Sequence, residues 1–217
     1  LTISEGLARN AMAAKINGTE CDLRDTLKEG DSLEILTFND EYGVKTFRHT
    51  AAHILAQAIK RLYPNAKLAI GPAIDNGFYY DFDSEVSFTP EALEKIEAEM
   101  KKIVKEDIEL EKFLVEPQEA IKLMEEKGEI YKVELIEEHA GKNEPISFYK
   151  QGEFCDVCAG PHILSTGKVK AFKLTACTGA YWRGDQNNKM LQRVYGTAFP
   201  KAAELEEHLA RVEEAKK

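Results

Sequence analysis

Residues 14–64 read AKINGTECDLRDTLKEGDSLEILTFNDEYGVKTFRHTAAHILAQAIKRLYP, and the period of the apolar positions changes within them. The first half is strand-like. Ala14-Lys15-Ile16 and Thr19 to Leu23 flank Asn17-Gly18, a pair that tolerates the positive φ angles of a tight two-residue hairpin. After Gly30-Asp31, Leu33 and Ile35 alternate with polar residues and lead into Leu36-Thr37-Phe38, a third strand; Asn39 to Gly43 reads as a linker. From Thr46 a helical period takes over and runs to Tyr63, where Pro64-Asn65 stops it. Residues 1–38 are therefore expected to be a small β-rich module, incomplete at its start, joined to something different in kind.

Working outward, Thr89-Pro90-Glu91 announces a second helix with an N-cap hydroxyl, proline at the first helical position and acid in the first turn. Its stripe is Leu93, Ile96, Met100 and Ile103, and it ends near Asp107. A strand from Ile108 to Val115 and a helix from Pro117 to Lys127 follow. Tyr131 to Ile136 and Ile146 to Tyr149 read as strand-like or edge segments, with a helix as the alternative for the first. Val169 to Val194 reads as a meander turning at Thr178-Gly179 and at Gly184 to Asn188, before a charged helix opened by Pro200. Strands and helices do not alternate strictly, so the expected class is α+β with antiparallel sheet rather than a doubly wound fold.

A chain of 217 residues with 43% hydrophobic content buries a core without covalent staples. No apolar run approaches the roughly 20 residues of a membrane helix and no signal-type segment opens the chain, so a cytoplasmic location is expected. Cys21, Cys155, Cys158 and Cys177 are too scattered for a disulfide framework. The net charge of -9 argues against a protein that coats nucleic acid nonspecifically. Charge is unevenly spread: residues 85–129 carry 14 acidic and 7 basic side chains, whereas between Lys168 and Arg193 six basic residues face Asp185 alone. Those six, Lys168, Lys170, Lys173, Arg183, Lys189 and Arg193, are interleaved with Phe172, Tyr181 and Trp182, a pattern suited to phosphates and stacked bases and equally to a lysine-rich surface sheet.

Two clusters carry reactive groups. His49 and His53 stand at i and i+4, close enough to share one ion or one substrate atom. On a wheel of about 100° per residue they lie opposite Ala51, Leu55, Ala58 and Leu62, facing bulk solvent or a cleft. The glutamate that a zincin protease needs after its first histidine is absent. The second cluster is Cys155-Asp156-Val157-Cys158-Ala159-Gly160-Pro161-His162. A thioredoxin-like redox pair lacks its βαβ context, a four-cysteine zinc site lacks its second half, and a nucleobase deaminase lacks His-x-Glu and Pro-Cys. Cys158 and His162 do complement His49 and His53 as a zinc-compatible set, and Cys155 is expected to be a small core residue.

His49-x-x-x-His53, Cys158 to His162, Ile70-Gly71-Pro72-Ala73-Ile74-Asp75-Asn76-Gly77-Phe78-Tyr79-Tyr80-Asp81 and Arg193-Val194-Tyr195-Gly196-Thr197-Ala198-Phe199 together resemble the N-terminal region of bacterial-type threonyl-tRNA synthetases. The resemblance covers essentially the whole chain. It implies a TGS-like β-grasp module over 1–38, an editing domain over 39–200 related to those of alanyl-tRNA synthetases, and a linker helix over 201–217 leading to a class II catalytic core outside this sequence. It also implies hydrolysis of seryl-tRNA formed in error on threonine tRNA, with a homodimeric full-length enzyme and no membrane partner. A synthesis pocket built for threonine discriminates against one missing methyl by only about 1–3 kcal/mol, so a second site must remove the smaller product.

By that resemblance His49, His53 and His162 position water and move protons, and Lys132 orients the water or stabilises negative charge. Cys158 shapes the serine end, Asp156 holds the α-ammonium or a hydroxyl, and Tyr80 packs on or bonds to the terminal adenosine. Related alanyl and free-standing proteins imply zinc on the His/Cys set, whereas threonyl enzymes imply a site that works without metal. The expectation adopted is no cofactor within these residues, with zinc, ATP and Mg belonging to the catalytic core. Two rival functions are a zinc-dependent hydrolase or metal-binding module on His49, His53, Cys158 and His162, and a noncatalytic tRNA-binding appendage using the Lys168 to Arg193 surface.

Overall fold

A computed structural model describes residues 3–217 of the chain. The first unit contains α1 (Glu5–Asn10), β1 (Ala13–Ile16), β2 (Thr19–Cys21) and β3 (Leu33–Leu36), with strand order β2-β1-β3 and antiparallel pairing throughout. Asn17 and Gly18 sit at φ +52° and +80°, the doubly positive turn that the Asn-Gly pair was chosen for. Helix α1 is an addition to the strands read from sequence. It is short, and Ser4 caps it by accepting from the Leu7 amide.

Helix α2 (Glu41–Leu62) begins five residues earlier than the helical period suggests, so Asn39 to Gly43 is not a linker. The Asp40 carboxylate accepts from the Thr37 amide and Glu41 occupies the first turn, where acid is favoured. Gly43 permits the close entry: a Cβ there would lie 1.9 Å from the Thr37 carbonyl oxygen. Gly43→Ala is therefore expected to lower stability by about 1–3 kcal/mol through forced displacement of backbone, read as a shift of the urea midpoint at constant slope.

After α2 come β4 (Lys67–Leu68), β5 (Ala73–Ile74), β6 (Gly77–Asp83), α3 (Pro90–Glu106), β7 (Leu110–Val115), α4 (Pro117–Glu126) and α5 (Ile130–Ala140). Then follow β8 (Ile146–Gln151), β9 (Phe154–Val157), β10 (Ala171–Tyr181), β11 (Met190–Phe199) and α6 (Ala202–Ala215). One antiparallel sheet runs β10-β11-β6-β4 with β5 hooked onto β6, and a second runs β7-β8-β9. The architecture is α+β. The main core joins α2 and α3 to the larger sheet through Phe47, Ile54, Leu55, Ile59, Phe78, Phe82, Ile96, Met100 and Val194. Thr89 caps α3 by accepting from the Ala92 amide, and Asp107 ends it at φ +49°.

Three details differ from the pattern read along the chain. Thr178-Gly179 is not a turn but lies inside β10, with Gly179 opposite Gln192. The reversal falls at 182–189, around the second expected turn at Gly184 to Asn188; there Trp182 is buried and its indole N–H donates to Glu134. Of the two forms open to Tyr131–Ile136, the helical one is present, as α5. Leu62, expected on the core stripe with Ala51, Leu55 and Ala58, is 38% exposed because α2 ends there. Among the described residues, no helix is long and apolar enough to cross a membrane.

Candidate active site

Helix α2 is covered on both faces, and this decides where its histidines go. Its apolar side meets α3, β6 and β11; its other side is covered by the segment 151–163. His53 is accordingly 2% exposed, while His49, one turn nearer the helix start, is partly open. The opposite face of the helix wheel is thus covered by this segment and does not face bulk solvent.

Strand β9 supplies the facing wall. Alternation along it turns Asp156 inward and leaves Cys155 and Val157 packing against the Ala120, Met124, Ile136, Ile146 and Phe148 cluster. The irregular stretch after β9 brings Cys158 and His162 over His49 and His53. The His49 and His162 rings stack at 4.1 Å, and His53 lies 4.1 Å from His162. One ligating atom from each of His49, His53, Cys158 and His162 falls within 4.8 Å of all the others. Lys132, from the buried side of α5, reaches the same place and pairs with Asp156 at 2.9 Å.

The hydrogen bonds assign the imidazole protons. His49 Nδ1 is 3.1 Å from the Pro161 carbonyl, which only accepts, so Nδ1 carries the proton and Nε2 the lone pair. His162 Nδ1 is 3.0 Å from the Thr50 hydroxyl, whose own proton is directed at the Thr46 carbonyl. Thr50 therefore accepts, and His162 Nε2 is also unprotonated. Both lone pairs aim at Cys158 Sγ, at 3.3 and 3.2 Å, and a single thiol proton can serve only one of them. His53 Nε2 faces Asp156 at 3.5 Å, while its Nδ1 is buried without a partner.

Burial sets the charges. It pushes His53 down to about 3 and lowers His49 and His162 as well, so all three rings are neutral at physiological pH. Burial, with Asp156 nearby, pushes the Cys158 thiol up to about 12, which keeps it protonated. Burial alone would raise Asp156 too, but Lys132, His53 and the Tyr80 hydroxyl more than offset it and hold the carboxyl below its usual value. The centre thus consists of neutral bases backed by one buried ion pair.

Two of the expected substrate contacts are placed differently. Tyr80 is 1% exposed, stacks on Phe82 and donates to Asp156 at 2.5 Å, so its ring is not offered to a nucleoside. Asp156 is 2% exposed and committed to Lys132, Tyr80 and His53, which makes it an internal counter-ion and not an open receptor for an ammonium group. Thr50 was not among the expected site residues. A threonine inside a helix bonding back to the residue four earlier gives only a weak sequence signal.

The donor set fits a metal ion as well: three imidazole nitrogens and one sulfur, two of the lone pairs already convergent and one buried nitrogen unpartnered, form a borderline-soft group of the kind zinc prefers. Zinc held by His49, His53, Cys158 and His162 would supply a Lewis acid and an acidified water.

The Lys168 to Arg193 stretch is not a bare basic strip. Lys173 pairs with Glu97, Arg183 with Glu134 and Glu138, Lys189 with Asp83, and Arg193 bidentately with Asp81 while lying over Tyr79. Lys168 turns to the Ala8 and Arg9 carbonyls, and Lys170 is exposed. Strand pairing put carboxylates of β6, and helix packing those of α3 and α5, beside these cations, and a count along the chain does not register such neighbours. Exposed lysines instead gather around two adjoining hollows of about 700 and 260 Å³, where Lys170 is joined by Lys101, Lys105 and Lys201.

Residues 2–37 match the TGS domain family, and residues 146–195, which include Asp156, Cys158 and His162, match the family described as threonyl and alanyl tRNA synthetase second additional domain. The chain is 63% identical over 217 residues to threonine–tRNA ligases of Clostridium botulinum (strain Hall) and Clostridium tetani, covering 100% of the chain and 34% of each relative. It is 62% identical over 215 residues to the threonine–tRNA ligase of Clostridium novyi, again 34% of that protein. The chain spans about a third of the length of these curated relatives.

Proposed function

Because the chain belongs with the threonine–tRNA ligases, as the part of them that carries a TGS domain and a second additional domain, we propose that it is an editing hydrolase that removes serine from threonine tRNA. The observation that carries this reading is the gathering of three neutral imidazoles and a protonated thiol around a space backed by the Lys132–Asp156 pair. Such a centre moves protons without being charged itself, as ester hydrolysis requires.

His49 is the general base. It is the most accessible of the three rings, its Nδ1–H is fixed on the Pro161 carbonyl, and its Nε2 lone pair, 3.3 Å from Cys158 Sγ, takes a proton while the thiol donates to His162. A water held at Nε2 attacks the ester carbonyl carbon and passes its proton to that nitrogen. The carbonyl becomes an oxyanion in the field of the Lys132 ammonium, which is buried and paired with Asp156 at 2.9 Å and so acts through space and not by direct contact. Collapse re-forms the carbonyl and expels the ribose oxygen, which takes the proton back from His49; the products are serine and tRNA. Burial keeps His49 a weak base, so the return of the proton is easy. Cys158, protonated, acts as a wall and hydrogen-bond donor and not as a nucleophile. Serine is favoured over threonine because an added methyl clashes with a rigid wall or displaces the water. The exposed Lys101, Lys105, Lys170 and Lys201 supply phosphate contacts, and the protein acts in the cytoplasm without resident metal.

The test is release of serine and of threonine from threonine tRNA charged with each. Serine should leave faster, and His49→Ala should slow serine release by about 10²–10⁴-fold with tRNA binding nearly unchanged. Equal release of both amino acids, or full activity in His49→Ala, would contradict the mechanism and favour the binding-appendage reading. The fitted donor set supports a second reading, zinc catalysis; about one zinc per purified chain, lost together with activity on chelation, would establish it.

A further inference from the structure

Two residues of the first unit reach out of it and take hold of the loop that carries His162. Asp22 is 5% exposed. Its Oδ2 accepts from the His162 backbone N–H at 3.2 Å and from the Tyr149 hydroxyl at 2.7 Å, and its Oδ1 pairs with the Arg24 guanidinium at 2.8 Å. Arg24 donates in turn to the carbonyls of His162 and Ile163, each at 2.8 Å, and twice to that of Leu110, at 3.0 and 2.8 Å. The backbone of His162 is thus gripped on both sides, its N–H by a carboxylate and its C=O by a guanidinium.

The rest of the loop is tied elsewhere: the Cys158 N–H donates to the Ser147 carbonyl, the Pro161 carbonyl accepts from His49 and the Ile163 N–H donates to the Thr50 hydroxyl, which leaves the His162 backbone to Asp22 and Arg24. Residues 158–163 belong to no strand or helix, and a buried irregular backbone needs side-chain partners for its polar groups. The bonds from Asp22 and Arg24 are charge-assisted, and the guanidinium ones are fork-shaped, the kind that fixes orientation as well as distance. Tyr149 extends the grip: its ring meets His162 edge-on at 4.5 Å, and a Cβ on Gly160 would lie 2.2 Å from its hydroxyl, so the loop is pressed against the same side chain that Asp22 holds. The imidazole of His162 is then aimed by Thr50 on one side and meets Cys158 on the other.

We propose that Asp22 and Arg24 are positioning residues of the hydrolytic centre, so that the first unit completes the active site of the second and is not merely an appended module. This rests on the editing reading for its kinetic consequence, but the placement of His162 can be followed without it. Loss of the grip would free the His162 backbone, which Asp22 and Arg24 hold, and misalign its ring with Cys158 and His49, whereas the lysine-lined hollows around Lys170 and Lys201 would be untouched.

The experiment compares the unmodified chain with Asp22→Asn, Arg24→Lys and Tyr149→Phe. Three readouts are taken: kcat and KM for serine release, the rate of Cys158 alkylation by iodoacetamide in a Cys21→Ser/Cys155→Ser/Cys177→Ser background, and the NMR position of the His162 ring protons. Asp22→Asn and Arg24→Lys are expected to lower kcat by about tenfold or more with KM within twofold, to speed alkylation of Cys158, and to move the His162 resonances; Tyr149→Phe should do the same more weakly. Folded variants with unmodified kcat, alkylation rate and His162 resonances would overturn the proposal. Should Asp22→Asn fail to fold, Tyr149→Phe, which removes one hydroxyl, carries the same decision. If the unmodified chain releases no serine, the editing reading fails, while a moved His162 resonance and faster alkylation would still uphold the positioning role.

Discussion

Lys132→Met is expected to lower the stability of the folded chain by about 3–5 kcal/mol and to abolish serine release, the largest effect of any single substitution at this centre. Methionine keeps the length and most of the volume of the side chain, so packing is nearly conserved and the loss is electrostatic. It strands the Asp156 carboxylate, 2% exposed, with only the Tyr80 hydroxyl and a distant His53 ring to satisfy it. The carboxyl then has two ways out: to bind a proton itself, or to draw one onto His53 3.5 Å away. Either route makes the variant more sensitive to pH than the parent. Urea unfolding followed by circular dichroism measures the loss, and Lys132→Met combined with Asp156→Asn should restore most of the stability but none of the activity, because the double variant removes the stranded charge without returning the cation. If the single and double variants prove equally unstable, the pair contributes packing rather than charge. If Lys132→Met still releases serine at the parent rate, the oxyanion role assigned to Lys132 is wrong.

What the sequence made legible was what is local. Asn17-Gly18 forces a hairpin wherever it sits between two strands, and Thr89-Pro90 starts a helix whatever packs against it. The i, i+4 spacing put His49 and His53 on one face, but whether that face met water depended on segment 151–163, about a hundred residues away. The resemblance, not the periodicity, named Lys132, whose surroundings along the chain suit a surface strand as well as a buried helix turn. Gly179 misled because glycine marks turns but also occurs inside strands, and only its pairing with Gln192 on β11 separates the two. The basic stretch misled for a related reason: a run of cations says nothing about the carboxylates that folding brings opposite, and Glu97, Asp83 and Asp81 all come from other elements. Asp22 and Arg24 gave no signal. Their partners His162 and Ile163 are about 140 positions distant, and a turn rich in Asp and Arg is ordinary surface chemistry until something lies on it.

Acid should unfold the metal-free chain well before its carboxylates are protonated. His53 takes up a proton only near pH 3 in the folded protein because burial excludes its charged form, whereas an unfolded imidazole does so near 6.5. Between those two values the unfolded chain holds more protons than the folded one, so stability rises with pH across the window and is complete above about 6.5. Lowering the pH from 7 to 5 should therefore cost about 2 kcal/mol from His53 alone. His162 and His49, lowered by burial in the same direction, add to the loss over the same range. Asp156 behaves oppositely in kind but not in sign: its carboxyl is held below the ordinary value, so its contribution is intact above about pH 4 and lost only on further acidification. Urea midpoints of the chelator-treated chain at pH 7, 6 and 5 measure the slope, and His53→Gln should reduce it to the share of His162 and His49, since glutamine has no proton to gain. Identical midpoints at pH 7 and 5 would mean that the rings carry charge when folded. A charged His49 cannot accept a proton from water, so the same experiment that reads the stability of the fold also decides whether its proposed base is available.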